Sequence, residues 1–160
     1  MRHLIHLVTI ASVLLLGVAG GHAWAQGSDP LDGTWTLNAA KSKFNAGPTI
    51  KSQTRKYEIS GETVKQTLEG MDDSGKPTHV TFTAHYDGKD YPVSGNPDAD
   101  TISVKRTDKF SAKSILKKDG KPTLTTVRHV SKDGKTLTMK TTGTDAKGAK
   151  VDNVLVFDKQ

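Results

Sequence analysis

From Gly33 onward, apolar and polar residues alternate with a period of two along much of this chain, and short clusters of Asp, Gly, Asn and Ser interrupt the alternation. A period of two places successive side chains on opposite faces of a β-strand. The pattern predicts ten strands: Gly33 to Asn38, Ile50 to Ser60, Thr63 to Met71, Thr78 to Tyr86, Asp90 to Ser94, Thr101 to Asp108, Lys109 to Lys117, Thr123 to Ser131, Thr136 to Thr142 and Lys150 to Asp158. Between them recur Asp87-Gly88, Asn96-Pro97-Asp98, Asp119-Gly120 and Asp133-Gly134, the residue types that adopt the positive backbone torsions of tight hairpins. Such a rhythm predicts an antiparallel meander. Closing it removes the two exposed edges of an open sheet, so the expected fold is all-β, an up-and-down antiparallel β-barrel of about ten strands. Two packed sheets are the alternative. Only Ala39 to Phe44 reads as a short helical turn, placed after the first strand with Asn38 as its N-cap.

Alternation also assigns faces. Val80, Phe82, Ala84 and Tyr86 share one side of their strand, with His79, Thr81, Thr83 and His85 on the other. Val64, Gln66 and Leu68 align in the same way, as do Arg55, Tyr57 and Ile59, and Ile102, Val104 and Arg106. The inward set therefore contains polar groups. In the last strand Val151, Asn153, Leu155 and Phe157 oppose Val154 and Val156, which leaves its inner face open.

The segment before the strands reads MRHLIHLVTIASVLLLGVAGGHAWAQ: one basic residue, an apolar run and Ala23-Trp24-Ala25. This is the layout of a secretory leader cleaved after Ala25, so residues 1–25 are expected to be a signal peptide and residues 26–160 one domain, periplasmic or secreted. Nineteen of the threonines follow the leader, another mark of strands. The chain has no cysteine, which excludes disulfides, thiolate metal sites, cysteine nucleophiles and a lipid-anchored cysteine. Without the leader, the apolar fraction falls from 34% to about 28%, lean for a solid two-sided core. A barrel with a partly polar interior needs fewer apolar residues.

Lysine and arginine outnumber aspartate and glutamate, 23 to 17, but the charges are interspersed. Solubility accounts for this balance, and it allows weak contact with an anionic envelope surface. Nucleic-acid binding is not expected, because the aromatics alternate toward the interior where no base could stack on them. No phosphate loop, nucleophile elbow or zinc-binding helix motif is present. His79 and His85 lie roughly 20 Å apart along one strand at about 3.3 Å per residue, too far to share a metal. Most aspartates sit in turns, where they bond their own backbone. The sequence therefore suggests neither an enzyme nor a metal or cofactor.

One short string is more specific. Gly33-Thr34-Trp35, within GTWTLNAAKSKF, places a G-x-W motif on the first strand of the expected barrel. With the leader and the meander, it resembles the calycin superfamily of lipocalins and fatty-acid-binding proteins, and in particular bacterial periplasmic lipocalin-like proteins. The resemblance implies that Gly33 and Trp35 are structural, the indole closing one barrel end beneath a basic residue of the last strand, for which Lys159 is available. Fatty-acid-binding proteins hold a carboxylate with an Arg-x-Tyr pair near their C-terminus. Here that spacing occurs instead at Arg55-Lys56-Tyr57, and there is no room for their helical lid.

The expected function is a monomeric, non-enzymatic barrel that carries or sequesters a small hydrophobic or amphipathic ligand. Its candidate ligand-binding residues are Arg55, Tyr57, Gln66, Phe82, Tyr86, Tyr91, Arg106 and Phe110, with Arg55 or Arg106 pairing an acidic group. The alternative is an envelope interaction or stress-protection module with a filled barrel and a basic surface.

Overall fold

The computed structural model describes residues 28–160; the expected signal peptide, residues 1–25, lies outside them. Eleven strands follow in order: β1 (Gly33–Leu37), β2 (Lys43–Ala46), β3 (Ile50–Ser60), β4 (Thr63–Asp72), β5 (Pro77–His85), β6 (Asp87–Ser94), β7 (Thr101–Asp108), β8 (Ser111–Lys118), β9 (Lys121–Val130), β10 (Thr136–Thr144) and β11 (Lys150–Lys159). From β3 to β11 each strand pairs antiparallel with the next, and β1 joins the two ends of that meander. Trp35 lies opposite both Arg55 of β3 and Lys159 of β11. The ten strands other than β2 thus form a closed ring, which excludes two separate packed sheets.

Strand β2 stands outside the ring. The sequence predicts a helical turn over Ala39 to Phe44, but the turn is shorter, a single 3-10 turn over Ala39–Lys41. Asn38 caps it, its Oδ1 accepting from Lys41 N at 3.1 Å while its Nδ2 donates to Asp158 Oδ2 at 2.6 Å. The chain then re-enters extended conformation and pairs with β11 again, Lys43 opposite Val154. Across the gap, Val156 donates to Ser42 Oγ and accepts from Asn38 N, so the interruption leaves none of these backbone groups of β11 bare.

The turns follow the residue chemistry. Asp119 (φ 49°) and Gly120 (φ 74°) both adopt left-handed torsions and join β8 to β9 through a two-residue hairpin loop, the geometry that favours Asp-Gly. The same four residues, Lys-Asp-Gly-Lys, build a longer turn at 132–135. There Asp133 Oδ1 accepts from Ser131 Oγ (2.5 Å) and Lys135 N (3.1 Å).

Inside the ring, burial follows the alternation. Phe82, Ala84 and Tyr86 are buried while Thr83 and His85 are exposed. Val64, Gln66 and Leu68 face inward together, and β11 resolves in favour of Val151, Asn153, Leu155 and Phe157. One apolar cluster joins Trp35, Tyr57, Val64, Val104, Val130, Leu137 and Phe157.

Candidate functional site

The end of the barrel around Trp35 is sealed from within. Trp35 has no exposed surface, and its Nε1 donates to Leu31 O at 2.8 Å, so the buried indole N–H is satisfied. Lys159 lays its ammonium 5.0 Å from the centre of the indole, a cation–π contact from the last strand. Gly33 explains the spacing of the motif. Its φ is 120°, a torsion that favours glycine, and a Cβ there would crowd Lys159 Cε at 3.1 Å on its way to the ring.

Around this plug the interior is polar. Arg55 donates from Nε to Gln53 Oε1 (2.8 Å) and from Nη1 to Gln66 Oε1 (3.2 Å), with its guanidinium 5.4 Å from the Phe157 ring centre. Arg128, 6% exposed, donates from Nη2 to the Tyr86 hydroxyl at 2.7 Å and lies 5.6 Å from the Tyr57 ring centre. Arg106 stacks 4.0 Å from the Tyr86 ring centre and pairs with Asp29 at 2.7 Å. Three guanidiniums therefore line one small interior, and among the described residues only Arg106 has a carboxylate partner. The Tyr57 hydroxyl is buried without a hydrogen-bond partner.

Burial raises the pKa of Tyr86, and the nearby guanidiniums of Arg128 and Arg106 only partly counter it. The ring therefore stays neutral, accepts from Arg128 and keeps a proton it can donate. Beside it, Asp29, Leu31, Tyr86, Arg106, Phe110 and Arg128 enclose a cavity of about 10 Å³, room for roughly one water molecule. A larger guest in that pocket requires these side chains to move. Toward the opposite end, Phe44, Ile50, Val93 and Leu116 pack against the core yet stay half-buried.

The candidate residues separate by position. Arg55, Tyr57, Gln66, Phe82, Tyr86 and Arg106 all face the interior, and Phe110 reaches the small cavity from the β7–β8 turn. Tyr91 departs from them. Its hydroxyl donates to exposed Asp87 (2.9 Å) and its ring meets the edge of exposed His85 (centroids 5.5 Å apart), so its polar end serves the β5–β6 turn instead of the interior. Sequence reasoning missed Arg128 and Asp29. For Arg128 a weak signal exists, because Thr126, Arg128 and Val130 alternate on one face of β9. Asp29 precedes the first strand, where no periodicity assigns a direction.

The outer histidines make local contacts: His79 with Glu69 (3.6 Å), His85 with Thr63 (3.0 Å) and His129 with Ser111 (2.9 Å). No group of three or more His, Asp or Glu suited to a metal occurs among the described residues.

No family model matches the chain, and no curated protein does. Among solved structures, it is similar to a redesigned β-barrel, mFAP1, bound to DFHBI, with TM-score 0.45 and 14% identity over 81% of this chain and 95% of that one. It is also similar to a selenomethionine derivative of a biogenic amine-binding protein, with TM-score 0.47 and 12% identity over 83% of this chain and 66% of that one.

Proposed function

We propose that this protein is an exported, non-enzymatic, lipocalin-like barrel that holds a small amphipathic ligand with an acidic group, received through the end opposite Trp35. The observation that carries the reading is Arg128. A guanidinium this deeply buried costs several kcal/mol to desolvate unless charge and hydrogen bonds compensate it, and Arg128 has one neutral hydroxyl. A ligand carboxylate, sulfonate or phosphate beside it would receive charge-assisted hydrogen bonds from Arg128 and the free Tyr57 hydroxyl. Arg55, held by two neutral glutamines, is a second cation of the same kind. Asp29 already occupies Arg106, which makes that residue the weaker partner. The half-buried ring of Phe44, Ile50, Val93 and Leu116 would take the apolar part, at roughly 25 cal/mol per Å² removed from water.

The test compares a dansyl-labelled medium-chain carboxylic acid with its uncharged amide on the purified protein, read by the fluorescence of the probe. The acid should bind at least tenfold more tightly. Arg128→Met should abolish that preference while leaving thermal stability equal or higher, since an apolar side chain replaces an uncompensated charge. Equal binding of acid and amide would reject the acidic-ligand reading. Export is checked separately, by N-terminal sequencing of the protein from its compartment, with Gln26 expected first.

A further inference from the structure

The outer wall carries a charge pattern that the interior site does not use. Following the strand registers, Lys43 of β2 lies opposite Val154 of β11, which lies opposite Lys140 of β10. Lys140 faces Val127 of β9, Val127 faces Lys113 of β8, and Lys113 faces Lys105 of β7. Directly opposed residues share a face, so these six form one continuous row on the outside of the wall. At about 4.8 Å per strand the row runs roughly 24 Å.

All four lysines are exposed, and Val127 between them is 48% exposed. None of the four forms an ion pair among the described residues. On β8 and β9 the flanking positions are uncharged in the main: Ile115 and Thr125 on one side, Ser111 and His129 on the other. Lys105 and Lys113 stand directly opposite each other, an arrangement that like charges disfavour. The wall made by β3 and β4 is built differently. There Lys56 and Lys65 both reach Glu58, and His79 of β5 meets Glu69. The row ends at Asp87 of β6, opposite Lys105, a carboxylate already engaged by Lys89 and Tyr91, so the four lysines of the row stay unpaired where those of the β3–β4 wall are neutralised.

We infer that this row binds a flexible anionic chain, one that repeats phosphate, sulfate or carboxylate groups along its length. Charge complementarity selects an anion, and shape selects a chain. Lys43 and Lys105 lie five strands apart in the sheet, so on a closed wall they point in widely different directions and a flat bilayer could meet only part of the row. A flexible polymer can follow the curve and place successive anions over lysines about 5 to 10 Å apart. The neighbouring hydroxyl of Thr125 adds a hydrogen-bond donor. A single-stranded nucleic acid is disfavoured because the row offers no aromatic surface for bases.

The experiment titrates the purified protein into fluorescein-labelled polyphosphate and, in parallel, into labelled heparin, with anisotropy read between 25 and 150 mM salt. These two arms separate a phosphate chain from a sulfated glycan. The triple variant K105Q/K113Q/K140Q should bind the preferred chain at least tenfold more weakly. The slope of log affinity against log salt should fall by about two, at roughly 0.7 for each anion that a lysine no longer neutralises. The variant K56Q/K65Q, which removes as exposed a pair of lysines from the opposite wall, should bind like the wild type. Melting curves confirm that both variants fold, and relief of the Lys105–Lys113 repulsion should keep the triple variant at least as stable. Equal losses in the two variants, no binding to either chain, or binding to phosphatidylglycerol vesicles in place of both would overturn the assignment.

Discussion

At the Trp35 end of the barrel, Trp35, Leu137 and Phe157 are wholly enclosed, and the segment through Leu31 closes over them. At the other end the apolar side chains Phe44, Ile50, Val93 and Leu116 remain half-buried. Both ends are made by the same strands, so the difference lies in what fills them. One end is completed by the chain itself, with an indole, a lysine and a glycine that fit together. The other leaves these four apolar side chains partly in water. Most of the stability is therefore expected from the Trp35 end and the apolar part of binding from the other, with Arg128 and Tyr57 lying toward the sealed end.

The largest test of that division is Trp35→Ala, which should cost about 3 to 5 kcal/mol in urea unfolding, the range for deleting a large buried aromatic. Leu116→Ala at the other end should cost clearly less, because its side chain is already partly in water. Equal costs would erase the distinction. Gly33→Ala comes next, at about 1 to 3 kcal/mol, since it forces a side chain into a left-handed torsion and against Lys159. A melting temperature unchanged by that substitution would show that the lysine yields freely.

The smallest effect concerns pH. Asp133 is held below the ordinary carboxylate pKa by the Ser131 hydroxyl and then the Lys135 amide, and Asp108 by the Phe110 amide. Both turns lie at the Trp35 end; at the other end Asp72 is lowered in the same way by Ser74 and the Lys76 amide. A pKa depressed by folding contributes stability that is present above the unfolded value and is lost as pH falls through the folded value. The protection of the Phe110, Lys135 and Lys76 amides, taken relative to the intrinsic exchange rate at each pH, should therefore fall in acid ahead of that of the buried strands, which is measurable by hydrogen exchange. A uniform loss of protection across strands and turns would contradict this local reading.

The architecture was largely legible because few physical signals were needed. Asp-Gly turns and two-residue alternation locate β5, β7 and β8 within a residue or two, and a closed ring is the simplest way to remove their edges. Where both faces of a strand carry apolar residues, the sequence loses its direction. In β11, only pairing with β10, which sets Phe157 beside buried Leu137, decides which set turns inward. Strand β2 was missed since Lys43 to Ala46 alternate over only four residues, too few to stand apart from the preceding turn, and become a strand through pairing with β11. Of the interior, Arg55 and Arg106 were visible by alternation. Arg128 sits between Val127 and Val130, which point to opposite faces, so local pattern gave no clear side.

The ring is closed by the strand at the beginning of the described chain pairing with the strand at its end, Leu37 beside Phe157 and Trp35 beside Lys159. More than a hundred residues separate these partners, and the entropy of bringing them together is paid before the pairing returns anything. The remaining nine ring strands can zip up hairpin by hairpin, but the barrel acquires its indole plug only when β11 is available to pair with β1. Completion of the fold is thus a late, non-local event, and truncating the last few residues would leave a sheet with two raw edges instead of a slightly shorter barrel.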